Sequence, residues 1–470
     1  MKPLKSVFLV SVGSCALFAA CTAPEVARVS ANYPFVAGTT ADAASAADTT
    51  LSDSAVSGAD ATQESDVTAP DAGPAVPDTG APDASTAAMD IGAPDAGPAA
   101  PDAGAPDAST VAMDIGASDA GPAATDTETS DASAAVVDGD VAPGGCETLY
   151  RGARIAGAGD APTDVCVTGG LFTAIGPAGT LVGAVVKDVT DRWLAPAVID
   201  SHVHLVYYPA AEALAAGGVI AGIDQAAPPS FFSTDFAPMT VLGSGPMITA
   251  TLGYPTQGWG SDGYGLEVPV GDVPAAIAAV DTVVSLGAAL IKVPLEQGPK
   301  LTDEQLVAVV TRAHALGRKV SVHALSEETA EKAALIGADI FAHTPVEPLS
   351  DATVAAWGSR AVVSTLSAFG GAAVTQLARL RTAGARVLYG TDFGNTTALG
   401  PSALEISRLT QAGLDGAAIL EAMTSAPADY WGLSDLGTIG PGKRAAFLVL
   451  AQDPVLEPAV LANPAEVVLP

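Results

Sequence analysis

Basic residues are scarce in this 470-residue chain: 20 Lys and Arg face 52 Asp and Glu, a formal charge of −32. That scarcity excludes a nucleic-acid partner, because gripping phosphates requires a basic face. Large apolar side chains are scarce in one region only. Residues 22–145 are Ala, Pro, Asp, Gly, Ser and Thr for the most part, with 21 acidic residues against the single Arg28. Such a segment cannot bury enough apolar surface to offset its ordering entropy, so it should stay unfolded. The fold and the chemistry are left to 146–470.

An apolar run at 7–20 follows Lys2 and Lys5 and is too short to span a bilayer. It reads as a secretory signal. The stretch Leu17-Phe18-Ala19-Ala20-Cys21 resembles a bacterial lipoprotein signal, which implies a signal peptide at 1–21, lipidation of Cys21 and a membrane-anchored, exported protein, periplasmic or on the cell surface. Val12-Gly13-Ser14-Cys15 is a second, shorter candidate, and ordinary secretion with cleavage nearby is the plain alternative. Beyond the Cys, 69–92 and 93–116 are direct repeats that differ only at Val76/Ala100, Thr79/Ala103 and Ala87/Val111. With Met and Ile as the only sizeable apolar residues, the units cannot stack a core. They read as a disordered linker, of about 120 residues and on the order of 60 Å in reach. The isolated Asp residues are too dispersed for a calcium loop.

Only two cysteines, Cys146 and Cys166, fall in the folded part. In an oxidising compartment they pair as a disulfide across two candidate strands, 147–155 and 164–167; two separate buried thiols are the alternative. From 194 onward short β-rich runs alternate with helical patterns, at 194–200, 219–223, 247–251, 289–293, 319–323, 339–343, 361–364 and 386–390. Gly287, Gly317, Gly337 and Gly384 suit left-handed helix ends, and Thr302 with Gln305 offers a capping box. The pattern predicts an α/β protein with a (β/α)8 TIM-like barrel, whose active site lies at the C-terminal ends of its strands.

Histidines are few, and four of the five stand at such ends: His202, His204, His323 and His343. His314 alone falls within a helical pattern. A His-x-His pair on a strand turns both imidazoles to one face, where they can reach one metal ion. Lys292, between Ile291 and Val293, is costly as a buried ammonium and needs a partner or a modification, unless it snorkels to the rim. Asp392 follows the last strand in Gly390-Thr391-Asp392.

Together the run 194–205 (LAPAVIDSHVHL), the strand-four Lys, the two later histidines and the Gly-Thr-Asp resemble the amidohydrolase superfamily, its binuclear prolidase-like or imidazolonepropionase-like branch. The resemblance covers essentially all of 146–470. It implies a barrel at 194–435 flanked by a small β-sandwich from 146–193 and 436–470. Ala197 and Ala446 depart from the family's usual Gly and Asp. By the same resemblance His202, His204 and Asp392 would hold one divalent cation and His323 and His343 a second. Lys292 would bridge both as a carbamate formed with CO2. Two zinc ions suit imidazole plus carboxylate, with Mn, Fe or Co open by residue type. The cations would lower the pKa of a bridging water to give hydroxide, with Asp392 moving its proton in hydrolysis of a small-molecule amide, cyclic amide or ester.

A mononuclear deaminase of the same superfamily is the alternative, and cytosine deaminase-like members carry Glu where this chain has Ser326. A non-catalytic surface-binding lipoprotein is another, against which the full ligand set speaks. Residues 206–264 hold Tyr207, Tyr208, Phe231, Phe232, Phe236, Tyr254, Trp259 and Tyr264, in loops where a substrate would rest. An aromatic leaving group and plain loop packing explain them equally. Gly253-Tyr254-Pro255-Thr256 replaces the Gly-His-Gly of prolidase-like relatives and speaks against a dipeptide.

Overall fold

A computed structural model describes residues 145–256 and 263–470. The signal segment with Cys15 and Cys21, the linker up to residue 144 and Trp259 lie outside the described residues. No helix among the described residues is long and apolar enough to cross a membrane.

In chain order the strands are β1 (Cys146–Ile155), β2 (Thr163–Thr168), β3 (Leu171–Pro177), β4 (Gly183–Asp188), β5 (Trp193–Pro196), β6 (Val198–Val203), β7 (Val219–Asp224), β8 (Thr240–Gly243) and β9 (Met247–Ala250). There follow β10 (Gly265–Val268), β11 (Leu290–Pro294), β12 (Lys319–His323), β13 (Ile340–Phe341), β14 (Ala361–Val363), β15 (Arg386–Leu388), β16 (Phe447–Leu450) and β17 (Glu466–Val468).

Both ends of the described chain share one sheet, in the order β17-β16-β5-β1-β2-β3 with β4 alongside β1. Phe447 anchors its core, with ring centroids 4.9 Å from Tyr150 and 5.4 Å from Phe172. A disulfide joins Cys146 to Cys166 across neighbouring β1 and β2, with Cα atoms 5.5 Å apart. Closing a loop of that size contributes roughly 3 kcal/mol in the chain-entropy picture.

Strands β11 to β15 form a parallel sheet in sequence order, and β6-β7-β8 form a second. Helices feed the strands, as α/β alternation requires. Helix Val273–Leu286 ends at Gly287, whose φ of 112° an L side chain rarely adopts. Helix Asp303–Ala315 opens with the reciprocal Thr302/Gln305 capping box. Backbone hydrogen bonds also link the sheets: Ala289 N donates to Gly243 O at 2.9 Å, and Ser201 N donates to Tyr389 O at 2.8 Å. Helices pack on the strands through apolar faces, among them Trp357 stacked on Phe341 with centroids 3.5 Å apart.

Two expectations need correction. The first expected strand, 194–200, is two strands. β5 pairs antiparallel with β16 in the mixed sheet, whereas β6 pairs parallel with β7. The change of partner falls at Ala197, which donates to Ala446 O at 3.0 Å. Thus the two positions that depart from the family pattern are neighbours, buried in one apolar cluster. The third expected strand, 247–251, is preceded by β8 and paired with β10. Both added strands are four residues long, too short to show a period amid Gly and Pro.

Candidate metal centre

His202 is the last but one residue of the buried strand β6, and His204 is the first beyond it. His202 Nδ1 faces the Ala342 carbonyl at 2.8 Å, which makes Nδ1 the donor and leaves the lone pair on Nε2. That Nε2 lies 3.2 Å from His204 Nε2. Asp392 Oδ1 is 3.1 Å from His204 Nε2 and 3.4 Å from His202 Nε2. The three donor groups lie within 4.8 Å of one another and all are buried. Three buried electron-pair donors converging on one point suit a divalent cation, and imidazole with carboxylate is a donor set for zinc or a neighbour of it.

The other candidates adjoin this group. The His343 ring stacks on His202 with centroids 4.3 Å apart, and His323 meets His343 edge-on at 4.8 Å. Thr365 Oγ1 lies 3.2 Å from His343 Nδ1. Lys292, in the middle of β11, is 1% exposed and bears electrostatically on His202, His323 and His343. No hydrogen-bond acceptor holds its Nζ among the described residues. Burial brings its ammonium down to about 7, against the pull of Asp392 and Asp224. Burial likewise brings His323 down to about 4 and holds His202 and His343 well below the usual imidazole value. Burial pushes Asp392 up, but His202 and His204 beside it win, and its carboxyl stays below the ordinary range.

His314 stands apart, in helix Asp303–Ala315, with Nε2 2.8 Å from Asp339 Oδ2. Ser326 caps the helix Glu327–Leu335, and Glu327 accepts from Ser350 N and Thr353 Oγ1. Of the loop aromatics, Phe231 packs on Phe232 and Phe236 at 5.2 Å each, which is loop packing. Tyr254 sits 5.5 Å from the His323 ring instead.

Sequence reasoning missed the residues that hold the candidate ligands in place. Asp200 Oδ1 accepts from His202 N at 3.0 Å and from Thr391 N at 3.1 Å, and its Oδ2 accepts from Thr391 Oγ1 at 2.6 Å. One carboxylate therefore ties the His-x-His strand to the loop carrying Asp392. Burial pushes that carboxyl up to about 7. Asp224 accepts from Leu205 N and Ala226 N and lies 3.9 Å from His204 Nδ1; burial pushes it up to about 6. Asp392 itself has a φ of 58°, and its carbonyl accepts from Asn395 N and Thr396 N. A left-handed non-glycine residue is strained, and such strain gathers at functional sites. Gly390 and Gly394 flank it because neighbours come so close: a Cβ on Gly390 would run into Val363 Cγ1 first and His202 Cβ at 3.2 Å, and one on Gly394 would meet His204 Cβ at 2.9 Å. One signal was available. Strand alternation aligns Asp200 with His202 and His204.

Residues 287–470 match the model of the Amidohydrolase family. No curated protein matches the chain. Among solved structures it is similar to a Xaa-Pro dipeptidase with bound methionine in the active site, with 20% identity over 68% of this chain and 98% of that one and a TM-score of 0.58. It is similar also to A. niger ochratoxinase, with 18% identity, 69% and 94% coverage and a TM-score of 0.55. Phenylurea hydrolase B gives 17% identity, 68% and 95% coverage and a TM-score of 0.53. These likenesses concern the fold. With the family match and the His202-His204-Asp392 group, they define a metal-dependent hydrolase. Over residues 287–470 the chain matches the Amidohydrolase family, and its fold is similar to that of a Xaa-Pro dipeptidase.

Proposed function

We propose that the protein hydrolyses a C–N bond, of an amide, cyclic amide or related carbonyl compound, at two divalent cations. His202, His204 and Asp392 hold one cation and His323 and His343 the other. Lys292, whose neutral amine would take up CO2 and lose a proton to become a carbamate, would offer both an anionic oxygen in place of a costly buried ammonium. Zinc fits the donors best. The carrying observation is the single buried run of rings and carboxylate from Asp392 through His204, His202 and His343 to His323, with Lys292 among them. When bound, such cations lower the pKa of a water and polarise a carbonyl.

The chain's own groups supply the proton traffic. Asp392 Oδ1 accepts from Asn395 Nδ2 and lies beside His204 Nε2, whereas Oδ2 accepts no hydrogen bond among the described residues. That oxygen takes the proton of the attacking water and passes it to the leaving nitrogen. Asp200 keeps Asp392 and His202 in register throughout.

The same reading extends to the architecture. The links Ala289–Gly243 and Ser201–Tyr389 support one closed barrel from β6 to β15 over 194–435, with the mixed sheet of 146–193 and 436–470 as its flanking sandwich. The lipoprotein-like leader supports export and a lipid anchor at Cys21, followed by the linker 22–145.

Metal analysis tests the proposal. The purified chain should carry about two metals, and Lys292→Ala about one, with loss of hydrolysis. A second reading, one cation as in deaminases, draws on His202, His204 and Asp392 being the one group gathered so closely among the described residues. One metal in both proteins would favour it.

A further inference from the structure

Thr365 occupies a stretch of backbone that suits glycine. It follows β14 with a φ of 41° and a ψ of 31°, a left-handed conformation that a β-branched residue adopts only at a cost. Thr365 N donates to Gly390 O at 3.0 Å, two residues before Asp392, and its carbonyl accepts from Ala368 N at 3.2 Å and Phe369 N at 3.3 Å. A glycine would make the same backbone bonds with less strain. The side chain is what a glycine would lack, and its Oγ1 lies 3.2 Å from His343 Nδ1. Both residues are buried.

The turn is imposed from a helix some way along the chain. Glu405, in helix Ala403–Gln411, is fully buried; its Oε1 accepts from Leu366 N at 2.8 Å and its Oε2 from Ser367 N at 2.5 Å. Arg408, one turn further on, donates to the Leu366 carbonyl. Ser402 Oγ accepts from Glu405 N at 3.2 Å, and Ser402 N donates to the Tyr389 hydroxyl at 2.8 Å. A buried carboxylate is costly unless donors satisfy it, and here both oxygens take the two amides that come just after Thr365. Those amides open the one-turn helix Leu366–Phe369, whose other end sets the Phe369 ring 4.6 Å from the His343 ring. One carboxylate therefore fixes both the hydroxyl and the aromatic ring that flank His343.

We propose that Glu405 and Thr365 are positioning residues for His343. Glu405 clamps the turn, and the Thr365 hydroxyl accepts the Nδ1 hydrogen, so that Nε2 keeps its lone pair for a cation. The opposite assignment, with the hydroxyl donating to Nδ1, would leave the hydrogen on Nε2 and take His343 out of any ligand set. That His343 holds a cation rests on the two-cation reading above; the tautomer of its ring does not.

Two measurements on the full chain test this. Nitrogen NMR of the metal-free protein, labelled at histidine and assigned by the signals lost in His343→Gln, reads the tautomer. His343 should be the Nδ1–H form. Thr365→Val keeps the shape without the acceptor and should lose that form, whereas Thr365→Ser should keep it. Glu405→Gln, which turns a donor toward one of the two amides, should shift the population in the same direction; an unchanged spectrum would remove Glu405 from the device. Equal tautomer populations in Thr365→Val and the unaltered chain overturn the proposal.

Chelator competition on the zinc-loaded protein is the second measurement. Thr365→Val should weaken one of the two ions by about 10–100-fold and the other little, with Thr365→Ser retaining most of the affinity. Equal loss of both ions, in a chain whose circular dichroism is intact, would mean general loosening and overturn the positioning role. If Glu405→Gln does not fold, the two Thr365 variants decide. The two-cation reading fails separately, if the unaltered chain binds a single zinc while the tautomer responds as expected.

Discussion

The two ends of the parallel strands differ more than any other two regions of the molecule. Where β12 and β15 start, Lys319 and Arg386 flank Tyr430, at 4.7 and 5.8 Å from its ring, and Arg386 pairs with Asp429 at 3.0 Å. Those charges are half in water and have partners. Where the same strands finish, His323 and Asp392 are buried with other donors crowded against them. One end spends its polar residues on solubility and holding; the other keeps donors together that would repel or strand one another without a cation. In the barrel proposed above, the C-terminal end would carry the chemistry and the N-terminal end the stability.

The sharpest way to break that contrast is Asp200→Ala. It removes the carboxylate shared by His202 N and Thr391 and should lower metal affinity by about 10–100-fold, as loss of an orienting partner does. Competition with a chelator measures it, and circular dichroism checks that the fold persists. Unchanged affinity would deny Asp200 its positioning role.

A second test uses proton linkage in the metal-free protein. Burial brings Lys292 to about 7 in the fold, whereas an unfolded lysine holds its proton to about 10.4. Between those values the unfolded chain binds more protons, so stability is full above the upper value and is lost as pH falls toward 7. Denaturant titrations from pH 7.5 to 9.5 should therefore show stability rising with pH, by up to about 1.4 kcal/mol per pH unit. Lys292→Met should flatten the rise. A flat profile in the unaltered chain would mean that Lys292 is solvated or already modified.

The smallest effect belongs to the other end. Arg386→Ala, which breaks the largely exposed pair with Asp429, should cost about 0.5 kcal/mol and leave turnover untouched. A marked fall in kcat there would erase the distinction between the two ends.

The candidate ligands were legible in the sequence for a definite reason. Metal-binding residue types are rare in this chain, so four of five histidines at strand ends formed a pattern that chance does not supply. The alternation of strands and helices, the glycine helix ends and the Thr302 box were equally visible, because each is a local choice. The holding residues were not. Asp200 is one of 52 acidic residues, and its partner Thr391 lies 191 positions away, so its role exists only after folding. Asp224 is hidden in the same way, since it accepts from the backbone amides of Leu205 and Ala226, which carry no sequence signature. The partner switch at Ala197 was invisible because one unbroken apolar run serves two sheets.

That switch leaves just five residues of chain between Pro196, paired in the mixed sheet, and His202. Anything that unzips the carboxy-terminal tail, a protease or a premature stop before Phe447, would slacken the first ligand strand from behind. The last two dozen residues thus steady a candidate metal centre from a distance.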